Sequence, residues 1–259
     1  MYPGPNLIIK CPSCEMLQQR KSLASGNNIG AVYYSDGSAA MPMLKSYPYY
    51  IKCPSCGVFF KLTDEIVIGE IPWDHDSLRN KSNNAPEFPD EWLQAPYVKF
   101  LTIEEYCQAI VSGLCNSGRK NGTQWKKDIR ALRFALWRAF NNSNRIAASG
   151  NDKECDDDIG DRSTKTEQNS MKMTEEDRKS VYDANCRAIL AAMAGAFGDV
   201  NLLIKAEIHR NLGEFQQCTS LLSQIKDQDE YKPFITSIRK ACTDHNRLTV
   251  MVIDWDREA

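Results

Sequence analysis

Leu7-Ile8-Ile9-Lys10-Cys11-Pro12-Ser13-Cys14 and Tyr49-Tyr50-Ile51-Lys52-Cys53-Pro54-Ser55-Cys56 are two versions of one pattern. Each runs from β-prone apolar residues through a lysine into an identical Cys-Pro-Ser-Cys tetrad. The tetrads are separated by 38 residues. Two such pairs supply four soft thiolates, Cys11, Cys14, Cys53 and Cys56, to one ion. That donor set matches a closed, tetrahedral structural zinc site. Four thiolates leave no open position of the kind a catalytic zinc needs, so the expected role of Zn2+ is to staple a β module too small to build an adequate core alone.

Working outward, residues 1–72 read as that zinc-ribbon module. Val58-Phe59-Phe60-Lys61-Leu62 has the composition of a strand returning from the second tetrad. Between the tetrads, the turn clusters Ser25-Gly26-Asn27-Asn28 and Ser35-Asp36-Gly37-Ser38 flank Ile29 to Tyr34, where a short hairpin fits. Gly57 follows the second tetrad at a position suited to a left-handed backbone, whereas Glu15 follows the first and is expected to put strain into that turn. Residues 73–97, with Asn83-Asn84-Ala85-Pro86 and Phe88-Pro89, lack clear periodicity and read as a connector.

A helical pair with a basic face is expected over 98–147. Thr102-Ile103-Glu104-Glu105 is a capping-box signature ahead of Tyr106, Cys107, Ile110, Val111 and Leu114 on one helical face. A second helix is predicted from Thr123 to Asn141. Trp125, Ile129, Leu132, Leu136 and Phe140 line one side of it, and Lys126, Arg130, Arg133 and Trp137 line the adjacent row. Residues 148–173 are polar and acidic, including Asp156-Asp157-Asp158, and predict a flexible linker. Over 174–259, Thr174 and Asp199 are candidate helix caps, Gly213 breaks the run Leu202 to Ile225 into two helices, and Tyr231 to His245 reads as another. Thr249 to Ile253 has the composition of a terminal strand.

The net charge of −2 conceals an asymmetry. Residues 97–145 carry nine Lys or Arg against three Asp or Glu, a net of +6, and residues 146–180 carry six against ten, a net of −4. No stretch approaches the roughly 18 apolar residues of a membrane helix, and the N-terminus lacks the basic and apolar regions of a signal peptide. With four of the ten cysteines claimed by the tetrads and the rest scattered, free thiols and a metal site together point to a reducing, cytoplasmic setting and to no membrane partner.

Ala206-Glu207-Ile208-His209-Arg210-Asn211-Leu212-Gly213-Glu214-Phe215 resembles part of a tetratricopeptide repeat, in which Leu202 and Ala206 of one helix would meet Cys218 of the next. Lys205 departs from that family's pattern at a usually apolar position, and Pro233 comes late; an ordinary helical hairpin is the alternative. The two Cys-Pro-x-Cys knuckles are also similar to rubredoxin-type sites, which keeps iron open beside zinc. Taken with Leu212-Gly213-Glu214-Phe215, the tetrads resemble a group of uncharacterised bacterial proteins that pair an N-terminal zinc ribbon with a C-terminal repeat-like helical region. The resemblance implies an α+β architecture, a small β zinc ribbon followed by a mainly α-helical, tetratricopeptide-like part. It carries no activity with it.

Two kinds of partner follow from these features. Helical repeats and a stapled module suit a protein-interaction or scaffold role. The cations Lys126, Lys127, Arg130, Arg133 and Arg138 would equally suit phosphates or an acidic partner, with Trp137 placed to stack on bases and Trp125 placed in the core. A solvated helix face is the plainer reading of such a charge run. Enzymatic features are weak. His75, His209 and His245 are the only histidines, Asp74-His75-Asp76 is a lone loop triplet, and no phosphate loop, nucleophile elbow or metalloprotease helix is present. Cys107, Cys186 and Cys218 fall on apolar helical faces and read as inert core thiols.

Overall fold

The computed structural model describes residues 2–74, 87–118, 120–149 and 173–254, with backbone alone for the last two positions of the third and fourth stretches. Its residues form two compact units that do not follow chain order: one draws on 2–28 and 43–132, the other on 29–42, 133–149 and 173–254. The chain is α+β, with small strands around the four cysteines followed by mainly helical elements.

In the first unit the repeated sequence pattern becomes a repeated hairpin. Strands β2 (Asn6–Lys10) and β3 (Leu17–Arg20) pair antiparallel with Lys10 opposite Leu17. Strands β7 (Tyr50–Lys52) and β8 (Phe59–Lys61) pair with Lys52 opposite Phe59. Each turn between them holds one tetrad. Strand β9 (Val67–Ile71) adds to the free edge of β2, and the short pair β1 (Tyr2–Pro3) and β4 (Leu23–Ser25) stands beside it as a separate ladder.

Alternation along β7 and β8 divides their side chains between two cores. Ile51 and Phe60 point with Ile9, Cys11, Cys53, Leu62 and Val98 into the ribbon interior. Tyr50 and Phe59 point the other way, onto helix α2 (Ile103–Ser112) and the start of α3 (Thr123–Ser149), where Leu101, Ala109, Leu114, Ile129 and Leu132 complete the cluster. Thr102 and Glu105 make both bonds of the expected capping box. The outer edge of β8 is closed by Asn116, which accepts from the Lys61 N–H and donates to the Lys61 carbonyl. The described part of the expected connector 73–97 includes a short helix, α1 (Asp90–Leu93), held by the Gln19 amide at the Trp92 and Leu93 carbonyls.

In the second unit, the hairpin between the tetrads forms as the sequence suggests. Strands β5 (Val32–Tyr34) and β6 (Ala39–Ala40) flank Gly37, and β5 also pairs with the terminal strand β10 (Met251–Asp254). Although this hairpin interrupts the module expected over 1–72, it belongs to the second unit, because its turn residues are bonded to helices there (below).

The helices of this unit are the later part of α3 with α4 (Glu175–Ala192), α5 (Asp199–Asn211), α6 (Phe215–Leu222) and α7 (Lys232–Thr243). Helix α3 runs past Asn141, the end expected from the sequence. The Asn141 side chain explains this: buried, it donates to Asp36 Oδ2 at 3.0 Å and accepts from the Tyr182 hydroxyl at 2.8 Å, so tertiary bonds override its local preference. Most of the acidic linker expected over 148–173 lies outside the described residues, as do His75, Asp76 and Asn83 to Pro86.

Gly213 (φ 82°) ends α5 as the sequence implies, with the Gly213 N–H on the Arg210 carbonyl and the Glu214 N–H on the His209 carbonyl. The same pattern ends α7 at His245 (φ 51°), with the Asn246 N–H on the Ala241 carbonyl. Asp199 does not cap its own helix. Its carboxylate accepts from the Lys226 and Asp227 N–H groups at 3.1 and 2.9 Å, and those bonds hold its pKa below the ordinary carboxylate value. Ala206, Cys218, Leu222, Ile225, Ile235, Ile238 and Cys242 share one core with Leu203. Trp137, Cys186, Ile189, Met193 and Ile208 form a second. No helix among the described residues is long and apolar enough to cross a membrane.

Candidate metal centre

The two tetrads converge. The four sulfurs of Cys11, Cys14, Cys53 and Cys56 lie within 4.8 Å of one another, with Cys11 to Cys56 at 3.8 Å and Cys14 to Cys53 at 3.5 Å. A metal–sulfur bond of about 2.3 Å at tetrahedral angles places sulfurs about 3.8 Å apart, so the donors stand at the spacing a four-thiolate ion requires. These four residues could hold a metal ion.

Backbone geometry explains the convergence. In the first turn the Cys11 N–H bonds to the Met16 carbonyl and the Glu15 N–H to the Cys11 carbonyl, each at 2.9 Å. In the second, the Cys53 N–H bonds to the Val58 carbonyl and the Gly57 N–H to the Cys53 carbonyl, again at 2.9 Å. The leading cysteine of each tetrad is buried at 1% exposure and the trailing one is exposed. Burial raises the Cys53 and Cys11 thiols above their ordinary pKa. The Met16 N–H, with support from Cys56, lowers Cys14 to about 7. One pair of donors is thus apolar-facing and one is open to solvent.

The residue after each tetrad is left-handed, Glu15 at φ 64° and Gly57 at φ 74°. Glu15 therefore carries the strain its position implies, since a side chain there costs about 1 kcal/mol that glycine avoids. Its exposed ion pair with Lys10, 3.0 Å long, returns only a fraction of that. Glu15→Gly should raise stability by about 0.5–1 kcal/mol, and Gly57→Glu should lower it by a similar amount. Thermal unfolding of the metal-loaded protein checks both; a loss on Glu15→Gly would refute the assignment of strain.

The basic candidates are distributed differently from the cysteines. Lys126, Lys127 and Arg130 are exposed on the part of α3 that belongs to the first unit, and none has an ion-pair partner among the described residues. In the second unit's part of the helix, Arg138 is exposed, whereas Arg133 is half-buried and donates to Asn185 Oδ1 at 3.3 Å. Trp137 is not a stacking platform. It is fully buried, packed edge-on to Phe134, and its indole N–H donates to Asn211 Oδ1 at 3.1 Å. Trp125 is half-buried against the Leu132 core, as its place on the apolar stripe implies.

Two histidines have structural partners: His209 Nδ1 lies 2.6 Å from Glu214 Oε2, and the His245 ring stands edge-on to Phe215. The first unit also carries a cleft of about 300 Å3 whose described lining includes Lys21, Lys45, Tyr47, Trp73 and Tyr97.

The sequence gives no local sign of a buried ionic cluster in the second unit. Glu207 and Arg210, both fully buried, make paired bonds of 2.8 and 2.5 Å one helical turn apart. Ser35 donates to Glu207 Oε1 at 2.6 Å and accepts from the Val250 N–H at 3.0 Å, and Arg210 also donates to the Asn246 carbonyl. The hairpin 29–42 is tied to the helices here and at Asp36, which accepts from Asn141 and Ser38. Only the i, i+3 spacing of two opposite charges hints at this in the sequence.

No protein-family model, curated protein or solved structure matches the chain. The fold and the site define the class on their own: an α+β protein with a four-cysteine cluster able to take a metal ion.

Proposed function

We propose that this protein is a zinc-binding interaction protein, in which Zn2+ at Cys11, Cys14, Cys53 and Cys56 staples a ribbon module and neighbouring surface cations receive an acidic segment of a protein partner. Tetrahedral sulfur spacing suits zinc and iron alike; zinc is preferred because it needs no redox protection. The observation that carries the partner's chemistry is the set Lys126, Lys127 and Arg130, exposed on α3 and without an ion-pair partner among the described residues. The helical hairpin α5–α6, with Ala206 and Cys218 in one core, supports the tetratricopeptide-like reading and the kinship with bacterial ribbon-plus-repeat proteins. The thiol content supports a cytoplasmic home.

A second reading, nucleic-acid binding through the same cations, draws on their freedom from local ion pairs. Both readings are tested by capture from the native host, with and without nuclease, using the full chain and its Lys126→Glu/Lys127→Glu/Arg130→Glu variant. A protein retained after nuclease and lost, at least tenfold, on charge reversal supports the first reading. Capture that vanishes with nuclease and weakens steeply with salt supports the second. Capture unchanged by the reversal overturns both.

A further inference from the structure

Helices α6 and α7 face each other through two thiols that the metal cluster does not use. Cys218 and Cys242 lie 24 residues apart in sequence, yet their sulfurs are 3.2 Å apart, closer than the Cys11–Cys56 and Cys14–Cys53 pairs that join the two tetrads. Both sit inside the core built by Ala206, Leu222, Ile235 and Ile238, with Cys218 fully buried and Cys242 at 5% exposure. A disulfide needs sulfurs about 2.0 Å apart, so a closure of little more than 1 Å joins the two helices. Helix α7 ends at Thr243, which puts Cys242 in its last turn with 5% exposure, the side from which a small reagent reaches the pair.

We propose that Cys218 and Cys242 form a modification site, an oxidisable pair that hydrogen peroxide converts to a disulfide bracing the α6–α7 hairpin. Peroxide is the chemical class that fits, because it is small and uncharged enough to enter an apolar core. The Cys242 sulfur, as thiolate, attacks one peroxide oxygen; the O–O bond breaks, and the departing hydroxide takes up the thiol's proton as water. The Cys218 sulfur then attacks the sulfur of the resulting sulfenic acid; its S–O bond breaks, and the second hydroxide leaves as water with the Cys218 proton. Two thiols and one peroxide give one disulfide and two waters, the two electrons passing to peroxide. Cys242, in the last turn of α7 and the less buried of the two, is the first sulfur; the hydrogen bond with Cys218 and then the Arg210 charge partly offset the burial that raises its pKa. Cys218, raised further by burial, is the resolving sulfur.

This site stands apart from the zinc and partner reading above, and its test keeps the two separate. Metal-loaded full-length protein is treated with graded hydrogen peroxide, quenched, alkylated and digested without reductant. The expected product is a cross-linked pair of peptides, one holding Cys218 and the other Cys242, two hydrogens lighter than their sum. The melting transition of the helical unit should rise by on the order of 5 °C. Dithiothreitol should reverse both changes, and Cys218→Ser should abolish both while retaining helical circular dichroism. Should that variant fold poorly, Cys242→Ala serves in its place. Recovery of Cys218 and Cys242 as free thiols, or as separate sulfinic acids, under doses that oxidise the exposed Cys14 and Cys56 would overturn the proposal. So would a cross-link from either cysteine to a tetrad sulfur instead.

Discussion

Cys53→Ser should strip the metal and unfold the ribbon, the largest effect expected of any single substitution in the first unit. The Cys53 sulfur lies 3.5 Å from that of Cys14, and its side chain is part of the same cluster as Ile51, Phe60 and Leu62. The strands around it are short, three residues each in β7 and β8, so ladder bonds alone hold little. Structural zinc sites contribute apparent binding free energies of about 10–16 kcal/mol near neutral pH, far more than a small ribbon core supplies. Three sulfurs and a hydroxyl forfeit most of that. Metal content should drop from near one ion per chain to near zero, and the ribbon's tertiary circular dichroism should disappear. Helical signal from the second unit, which has its own core, should survive. Cys115→Ser is the matched control and should change neither.

Acid should have the same effect as the substitution, since protons compete with metal for each thiolate. Burial raises the pKa of Cys11 and Cys53, so in the metal-free chain both are protonated at neutral pH, and zinc uptake there releases their protons. Metal affinity therefore falls as pH falls. Metal content unchanged in Cys53→Ser would overturn the site.

How far the sequence reaches depends on the range of the interactions. The tetrads are legible because each ligand pair, its turn and its flanking strand occupy one short stretch, and because the stretch occurs twice. Glu15 is legible for the same reason: its strain follows from its place after a tetrad. The capping box at Thr102 and the helix stop at Gly213 are also local, and both stand in the structure. Trp137 shows where the method ends. Helical spacing puts it in the row of Lys126, Arg130 and Arg133, but α3 is covered there by neighbours from α4 and α5, and the indole is buried on Asn211. Periodicity finds an apolar face; it does not show how much of the helix circumference other elements cover. The helix expected to end at Asn141 runs on, and the Asn141 amide is satisfied by Asp36, 105 residues away. The hairpin 29–42 reads as part of the ribbon because it lies between the tetrads, yet its anchors are Glu207 and Asn141. Such pairings have no local signature.

The buried Glu207–Arg210 pair carries the largest expected effect in the second unit. Burial opposes the charge of Arg210, and the Glu207 carboxylate outweighs it, raising the guanidinium's pKa. Removing either partner leaves the other charge in the core, a loss of about 3–5 kcal/mol and a large share of a domain's total stability. Arg210→Met would leave Glu207 with only the Ser35 hydroxyl and would take the donor from the Asn246 carbonyl. Glu207→Leu would leave Arg210 with that carbonyl and a 3.5 Å contact to Ser35. The double variant keeps the volume and discards both charges, so it should be more stable than either single variant. Urea unfolding of the four proteins measures this directly, and the coupling should exceed about 2 kcal/mol because the residues share every bond that matters. Ser35→Ala should cost about 2 kcal/mol, since it takes a donor from the Glu207 carboxylate and the acceptor from the Val250 N–H while leaving the ion pair intact. Additive single losses would mean that the two charges are not coupled. A coupled loss would show that α5 holds them as one buried unit, which the Ser35 hydroxyl ties to the β5 hairpin.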